Sequence, residues 1–238
     1  CNSSLMTLLQ SGITKSLAGD YTIDNSLRVD DVSNLPYAEN YLTREISSTS
    51  TSTNFTFSCW FKIAYNTFST DSSTVAPYYT IYSGGNSDQW TSIGLADQTS
   101  LGNLPCIMLS ERDSGGTTAF YEFSNNVIRD PSSWYHLVVS YDKTRGTASD
   151  RVRVYLNGEI LTWASQKTTS GEARWVFDNI RIGGQNNSTS APQMPWHGYL
   201  AEIYMLDGQT KVATDFGELD STTNQWIPLD SDTVKAAV

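Results

Sequence analysis

The stretch from Trp134 to Gly158 constrains the fold more than any other part of the chain. It reads WYHLVVSYD, KTRGTASD and RVRVYLNGE: two β-strand patterns around a polar connection, the second closed by Asn157-Gly158. That dipeptide favours a tight hairpin turn. In the first strand Tyr135, Leu137, Val139 and Tyr141 share one face, while Trp134 and Val138 put apolar bulk on the other. A strand apolar on both faces belongs inside a sheet that is covered on both sides. In the second strand Val152, Val154 and Leu156 point one way, and Arg151, Arg153 and Tyr155 the other. The rest of the chain is expected to be arranged around this pair as an all-β, two-sheet antiparallel sandwich with little helix.

The same grammar runs through most of the 238 residues. NFTFSCWFKIA places Phe55, Phe57, Cys59, Phe61 and Ile63 on one side. SLRVDD, NYLTRE, YTIYSGG, TSIGLA, CIMLSER, TAFYEFS, ILTWAS, ARWVF and NIRIGG read as further short strands. In GYLAEIYMLDG, strict alternation predicts Tyr199, Ala201, Ile203 and Met205 on one face and Leu200, Glu202 and Tyr204 on the other. Aromatic residues at 12% and charged ones at only 17% suit strands joined by polar turns. The expected organisation is an N-terminal arm over 1–25, one domain over 26–230 and a polar C-terminal extension over 231–238, with a turn or short helix around VATDFGEL.

A formal net charge of −10 with no Lys/Arg cluster repels phosphate backbones, which argues against nucleic-acid binding. No apolar run is long enough to insert in a bilayer. Cysteines at 1, 59 and 106 include no CxxC and no zinc spacing. Cys59 reads as a small buried apolar residue, and a Cys59–Cys106 disulfide stays open.

The series SLRV, NYLTR, FTFSCWFK, WYHLVVSYD, RVRVYLNGE, IRIGG and HGYLAEIYMLDGQ resembles the laminin G-like branch of the concanavalin A-like jelly rolls, over about Ser26 to Glu218. The closing GYLAEIYMLDGQ and DFGE are similar to versions in bacteriophage virion proteins, where such domains sit on tail or capsid surfaces. The resemblance implies a jelly-roll sandwich, a core histidine at His136 and, in some relatives, a calcium ion at the sandwich rim. It does not imply one function, because this fold hosts lectins, glycan hydrolases, peptide binders and structural modules.

Hydrolases on this fold need carboxylates converging from one strand, and a retaining pair stands about 5 Å apart. Glu202 has Leu200 and Tyr204 at its two-residue neighbours, Glu159 follows a turn glycine, and Asp142 and Asp150 lie in a loop. No catalytic residue is assigned. Calcium on the oxygen-rich loops at 86–88 or 142–150 stays open, with no ligands assigned. Sugar recognition requires an aromatic plate and nearby polar groups. Two loops combine these: Asn86, Asp88 and Trp90 in the first, and Asn186, Asn187, Trp196 and His197 in the second. The expectation is a non-catalytic, lectin-like component of a virion surface, present in several copies and binding surface glycans or neighbouring coat proteins. The alternatives are a carbohydrate- or protein-binding module of a secreted or cell-surface bacterial protein and, more weakly, a glycan hydrolase.

Overall fold

The computed structural model describes residues 23–29, 40–45, 53–64, 78–85, 90–98, 104–112, 118–166, 179–185 and 194–238. In chain order the strands are β1 (Leu27–Val29), β2 (Leu42–Arg44), β3 (Asn54–Ile63), β4 (Tyr78–Gly85), β5 (Trp90–Gln98), β6 (Leu104–Arg112), β7 (Thr118–Val127) and β8 (Tyr135–Asp142). They continue with β9 (Val152–Leu156), β10 (Glu159–Ile160), β11 (Trp163–Gln166), β12 (Ile180–Ile182), β13 (Gly198–Asp207), β14 (Gly217–Leu219) and β15 (Trp226–Pro228). One helix, α1 (Ser231–Ala237), follows.

Two antiparallel sheets face each other, as the alternating patterns require. One has six strands in the order β1-β13-β3-β8-β9-β10, and the other seven in the order β11-β7-β6-β5-β4-β12-β2. β8 lies between β3 and β9, as a strand apolar on both faces should. Between the sheets, Phe55, Phe57, Phe61, Leu137, Val139 and Tyr141 meet Ile81, Tyr82, Ile93, Leu95, Ile107 and Leu109 in one buried core. The Asn157-Gly158 turn forms with both residues at positive φ (50° and 86°) and joins β9 to β10. Asn157 Oδ1 also accepts from the His136 backbone N–H, which ties the turn to β8.

Strict alternation fails in β13. Its pairing with β3 shifts between Ala201 and Tyr204, where Glu202 adopts φ 45°. One extra residue at a bulge reverses which side chains face inward. Leu200 faces the main core before the bulge; Ile203 and Met205 do so after it, while Tyr204 and Leu206 join a second cluster on the outer face. The expected grouping of Tyr199 with Ile203 and Met205 is therefore replaced by Leu200 with Ile203 and Met205.

That second cluster is the other departure from the expected organisation. Val138, Ala213, Phe216 and Val234 are buried together, with Tyr155, Tyr204, Leu206, Trp226, Leu229 and Val238 packed on them. The segment after β13 thus folds back over the outer face of the six-stranded sheet as a 3₁₀ turn (Ala213–Asp215), the β14–β15 ribbon and α1. Asp230 caps α1, accepting from the N–H groups of Asp232 and Thr233. Residues 231–238 therefore include a helix that buries Val234, rather than forming only a polar extension.

Cys59 and Cys106 are buried free thiols on opposite sheets, so the open disulfide pairing does not form. Burial pushes the Cys59 thiol pKa strongly up.

Candidate functional site

The two outer faces differ sharply. On the six-stranded sheet the C-terminal segment closes the face around His136. Trp226 Nε1 donates to His136 Nδ1 at 2.9 Å, which leaves the proton on Nε2 to be donated to Ser58 Oγ, also at 2.9 Å. The ring stacks on Trp60, with centroids 4.8 Å apart, and the Trp226 ring lies nearly parallel to it at 6.0 Å. Burial lowers its pKa to about 3, so the ring is neutral. Both nitrogens are engaged and the ring is 1% exposed, which makes His136 a packed core histidine.

On the seven-stranded sheet, Ile93, Leu95, Ile107 and Leu109 point inward, so the alternate residues of β5 and β6 form the outer face. Register sets Thr43, Arg181, Ser83, Ser92 and Ser110 side by side across β2, β12, β4, β5 and β6. The Ser92 and Ser110 hydroxyls lie 2.7 Å apart, and Gln185 Nε2 donates to Ser92 Oγ at 3.2 Å. Trp90 stands two residues from Ser92 on this face, paired with Gly85 and Arg112. The Arg181 guanidinium carbon lies 5.5 Å from the centroid of the Tyr41 ring, which is 37% exposed.

Of the seven residues expected to bind ligand, Asn86, Asp88, Asn186 and Asn187 lie outside the described residues. Trp90 opens β5 instead of ending a loop and is 5% exposed on the outer face. Trp196 is completely buried in the main core, edge-on to Phe61 at 5.7 Å. With neither ring face open, it cannot serve as a sugar plate in this structure, and it does not share a face with Trp90. His197 is half-buried with its ring edge-on to Tyr79 at 5.4 Å.

Sequence reasoning missed Tyr41, Ser83, Ser92, Ser110, Arg181 and Gln185. The signal was present: TSIGLA, CIMLSER and IRI put small or charged polar residues at the positions that alternate with core side chains. It also passed over two acids. By alternation from Leu109, Glu111 on β6 and Glu122 on β7 point inward, and both are buried. Burial raises the Glu122 pKa to about 7, and its Oε2 has no hydrogen-bond partner.

Among the described residues, no three His, Cys, Asp or Glu side chains come together as a metal site. Asp142, the last residue of β8, accepts hydrogen bonds from Thr144 and Arg145. Those hydrogen bonds, the Thr144 hydroxyl first, hold its pKa below the usual carboxylate value. The other loop named for calcium, at 86–88, lies outside the described residues.

Residues 37–213 match the laminin G family model described as the concanavalin A-like lectin/glucanases superfamily. The chain belongs to that superfamily. The match ends at Ala213, so nearly all of the C-terminal covering segment lies beyond what this superfamily member shares with the model. No curated protein matches its sequence. Among solved structures it is similar to the binding domain of botulinum neurotoxin serotype G: 16% identity and a TM-score of 0.50 over 85% of this chain and 46% of that one. It is also similar to the CBM40 of the Ruminococcus gnavus IT-sialidase, with 13% identity and a TM-score of 0.47 over 73% of this chain and 95% of that one. At these identities the likeness is one of fold.

Proposed function

We propose that this superfamily member is a non-catalytic carbohydrate-binding module that uses the outer face of its seven-stranded sheet. The observation that carries the reading is Tyr41, 37% exposed with the half-buried Arg181 guanidinium 5.5 Å from its ring centroid at the β2–β12 side of that sheet, while the six-stranded sheet is closed around His136 by the chain's own C-terminal segment. An exposed aromatic ring beside a cationic donor suits sugar recognition. The non-catalytic part is supported by Glu111 and Glu122 pointing into the sandwich, away from the face that would meet a glycan.

The finer placement rests on sequence likeness. The GYLAEIYMLDGQ stretch supports a role on a phage particle surface, present in several copies beside other coat proteins. A net charge of −10 supports a partner other than nucleic acid. A glycan array with the wild-type chain tests the binding reading, and it fails if no glycan is retained. Oligosaccharides that bind should remain intact after long incubation, and their cleavage would replace the module with an enzyme. Co-purification with capsid or tail proteins tests the virion placement.

A further inference from the structure

We infer that the β1 corner of the six-stranded sheet is a second ligand site, and that it takes an acidic sugar, with the pyranose against Trp134 and its carboxylate on Lys62 and Arg28. It is separate from the Tyr41 face and shares with the proposed function only the class of ligand. The register builds it. Leu27, Val29, Phe61, Ile63, Tyr135 and Leu200 belong to the main core or pack on it, so the residues that alternate with them point outward. Arg28 pairs with Tyr199, and Tyr199 with Lys62. The Phe61–Tyr135 pair carries the same row on to Trp134, the residue before β8. Four neighbouring positions thus read cation, aromatic, cation, aromatic.

This row is open to solvent. Arg28 is exposed, and Tyr199, Lys62 and Trp134 are each half-buried. The C-terminal segment packs elsewhere on the same face, on Val138, Tyr155, Tyr204 and Leu206 and against His136. The Trp134 and Tyr199 rings approach each other across the strand that carries Lys62, with centroids 6.4 Å apart and planes inclined at 57°. The Arg28 guanidinium carbon lies 5.9 Å from the Tyr199 centroid, a cation–π contact that holds the charge on the row. Three strand spacings of about 4.8 Å give the row a length of about 14 Å, room for a short oligosaccharide.

The chemistry selects the ligand. An aromatic surface suits the apolar face of any pyranose. Two cations on one row, in a chain of net charge −10, add a preference for an anion. A carboxylate gives them charge-assisted hydrogen bonds, where a neutral sugar gives only hydroxyls. Asp130, in the turn before β8, directs its own carboxylate to Ser132 and Ser133. Those hydrogen bonds, Ser132 first, and in the smallest measure the Lys62 charge, hold its pKa below the usual carboxylate value.

Calorimetric titration with a glucuronic acid-terminated oligosaccharide, 3′-sialyllactose, lactose and oligoglutamate tests this. Wild type should bind at least one acidic sugar more tightly than lactose or oligoglutamate, with affinity falling as salt is added. Lys62→Gln should weaken that binding about tenfold, as expected when a hydrogen bond to a charged group is removed. Trp134→Ala should weaken it independently, and Tyr41→Ala should leave the Lys62-dependent binding in place. A melting curve like that of wild type confirms each fold; if Trp134→Ala does not fold, Lys62→Gln and the salt dependence still decide. Equal binding of lactose, or acidic binding untouched by Lys62→Gln and Trp134→Ala, overturns the corner site and leaves the Tyr41 face as proposed. Equal binding of oligoglutamate overturns the sugar and makes the corner a dock for acidic protein segments. Binding of no glycan on the wider array overturns both sites.

Discussion

The indole Nε1 of Trp226 donates a 2.9 Å hydrogen bond to Nδ1 of His136, which precedes it by 90 residues. This contact fastens the C-terminal segment to the centre of the six-stranded sheet, and the main hairpin turn makes room for it. A Cβ at Gly158 would stand 2.6 Å from the Trp226 ring, so the glycine serves both the turn and the close approach of the indole. Trp226→Ala should cost about 3 kcal/mol, since a large aromatic and its hydrogen bond are lost together. Trp226→Phe should cost about 1–2 kcal/mol, keeping part of the packing. Urea denaturation of both variants checks the order.

The segment beyond the family match should behave as part of the fold. Val234 is the residue through which α1 reaches the second cluster. Val234→Asp should destabilise the protein by about 2–4 kcal/mol, because it buries a charge without a partner. Ending the chain at residue 212 should expose Trp60, Val138 and Tyr204, and appear as increased binding of a hydrophobic dye. Unchanged stability in both cases would show the segment to be dispensable.

Much of this was legible in the sequence. Alternation in NFTFSCWFKIA and WYHLVVSYD assigned the core faces of β3 and β8 correctly, because flat, regular pairing preserves a period of two. The same rule misread β13, since nothing in GYLAEIYMLDG announces the bulge at Glu202. Trp90 and Trp196 looked alike as loop aromatics. Which side of the sheet each meets depends on pairings with residues far along the chain, and these placed one on the outer face and one in the core. The covering role of the C-terminal segment was hidden because its apolar residues are widely spaced, although the Asp230 cap before SDTVKAA was readable.

Two buried titratable groups should give opposite pH dependences. His136 has its pKa lowered from 6.5 to about 3, so the folded state binds fewer protons than the unfolded one; its contribution to stability is lost as pH falls from about 6.5 toward 3. Glu122 has its pKa raised from 4.5 to about 7, so its contribution grows as pH falls from about 7 toward 4.5 and is lost as pH rises. Between pH 6 and 8 the two oppose each other, because the unfolded-state histidine titrates near 6.5 while folded Glu122 titrates at about 7. Removing the Glu122 contribution with Glu122→Gln should therefore shift the change in stability over that range upward by on the order of 1 kcal/mol relative to wild type, leaving a stability that rises with pH. An identical slope in the two proteins would show that Glu122 is not the titrating group.

Cys59 and Cys106 should remain unmodified by a thiol reagent in the native state and react together on unfolding, because both are fully buried. Their reduction state should leave the melting temperature unchanged. A melting temperature that drops with reductant would point to a bond between them.

Hydrogen exchange in the presence and absence of a glycan identified on the array tests the central claim most directly, because it reports which sheet meets the ligand. Added protection should fall on β4, β5 and β12, around Ser83, Trp90 and Arg181, with β15 and α1 unchanged. Protection confined to β15, α1 and the outer face of the six-stranded sheet would contradict the account.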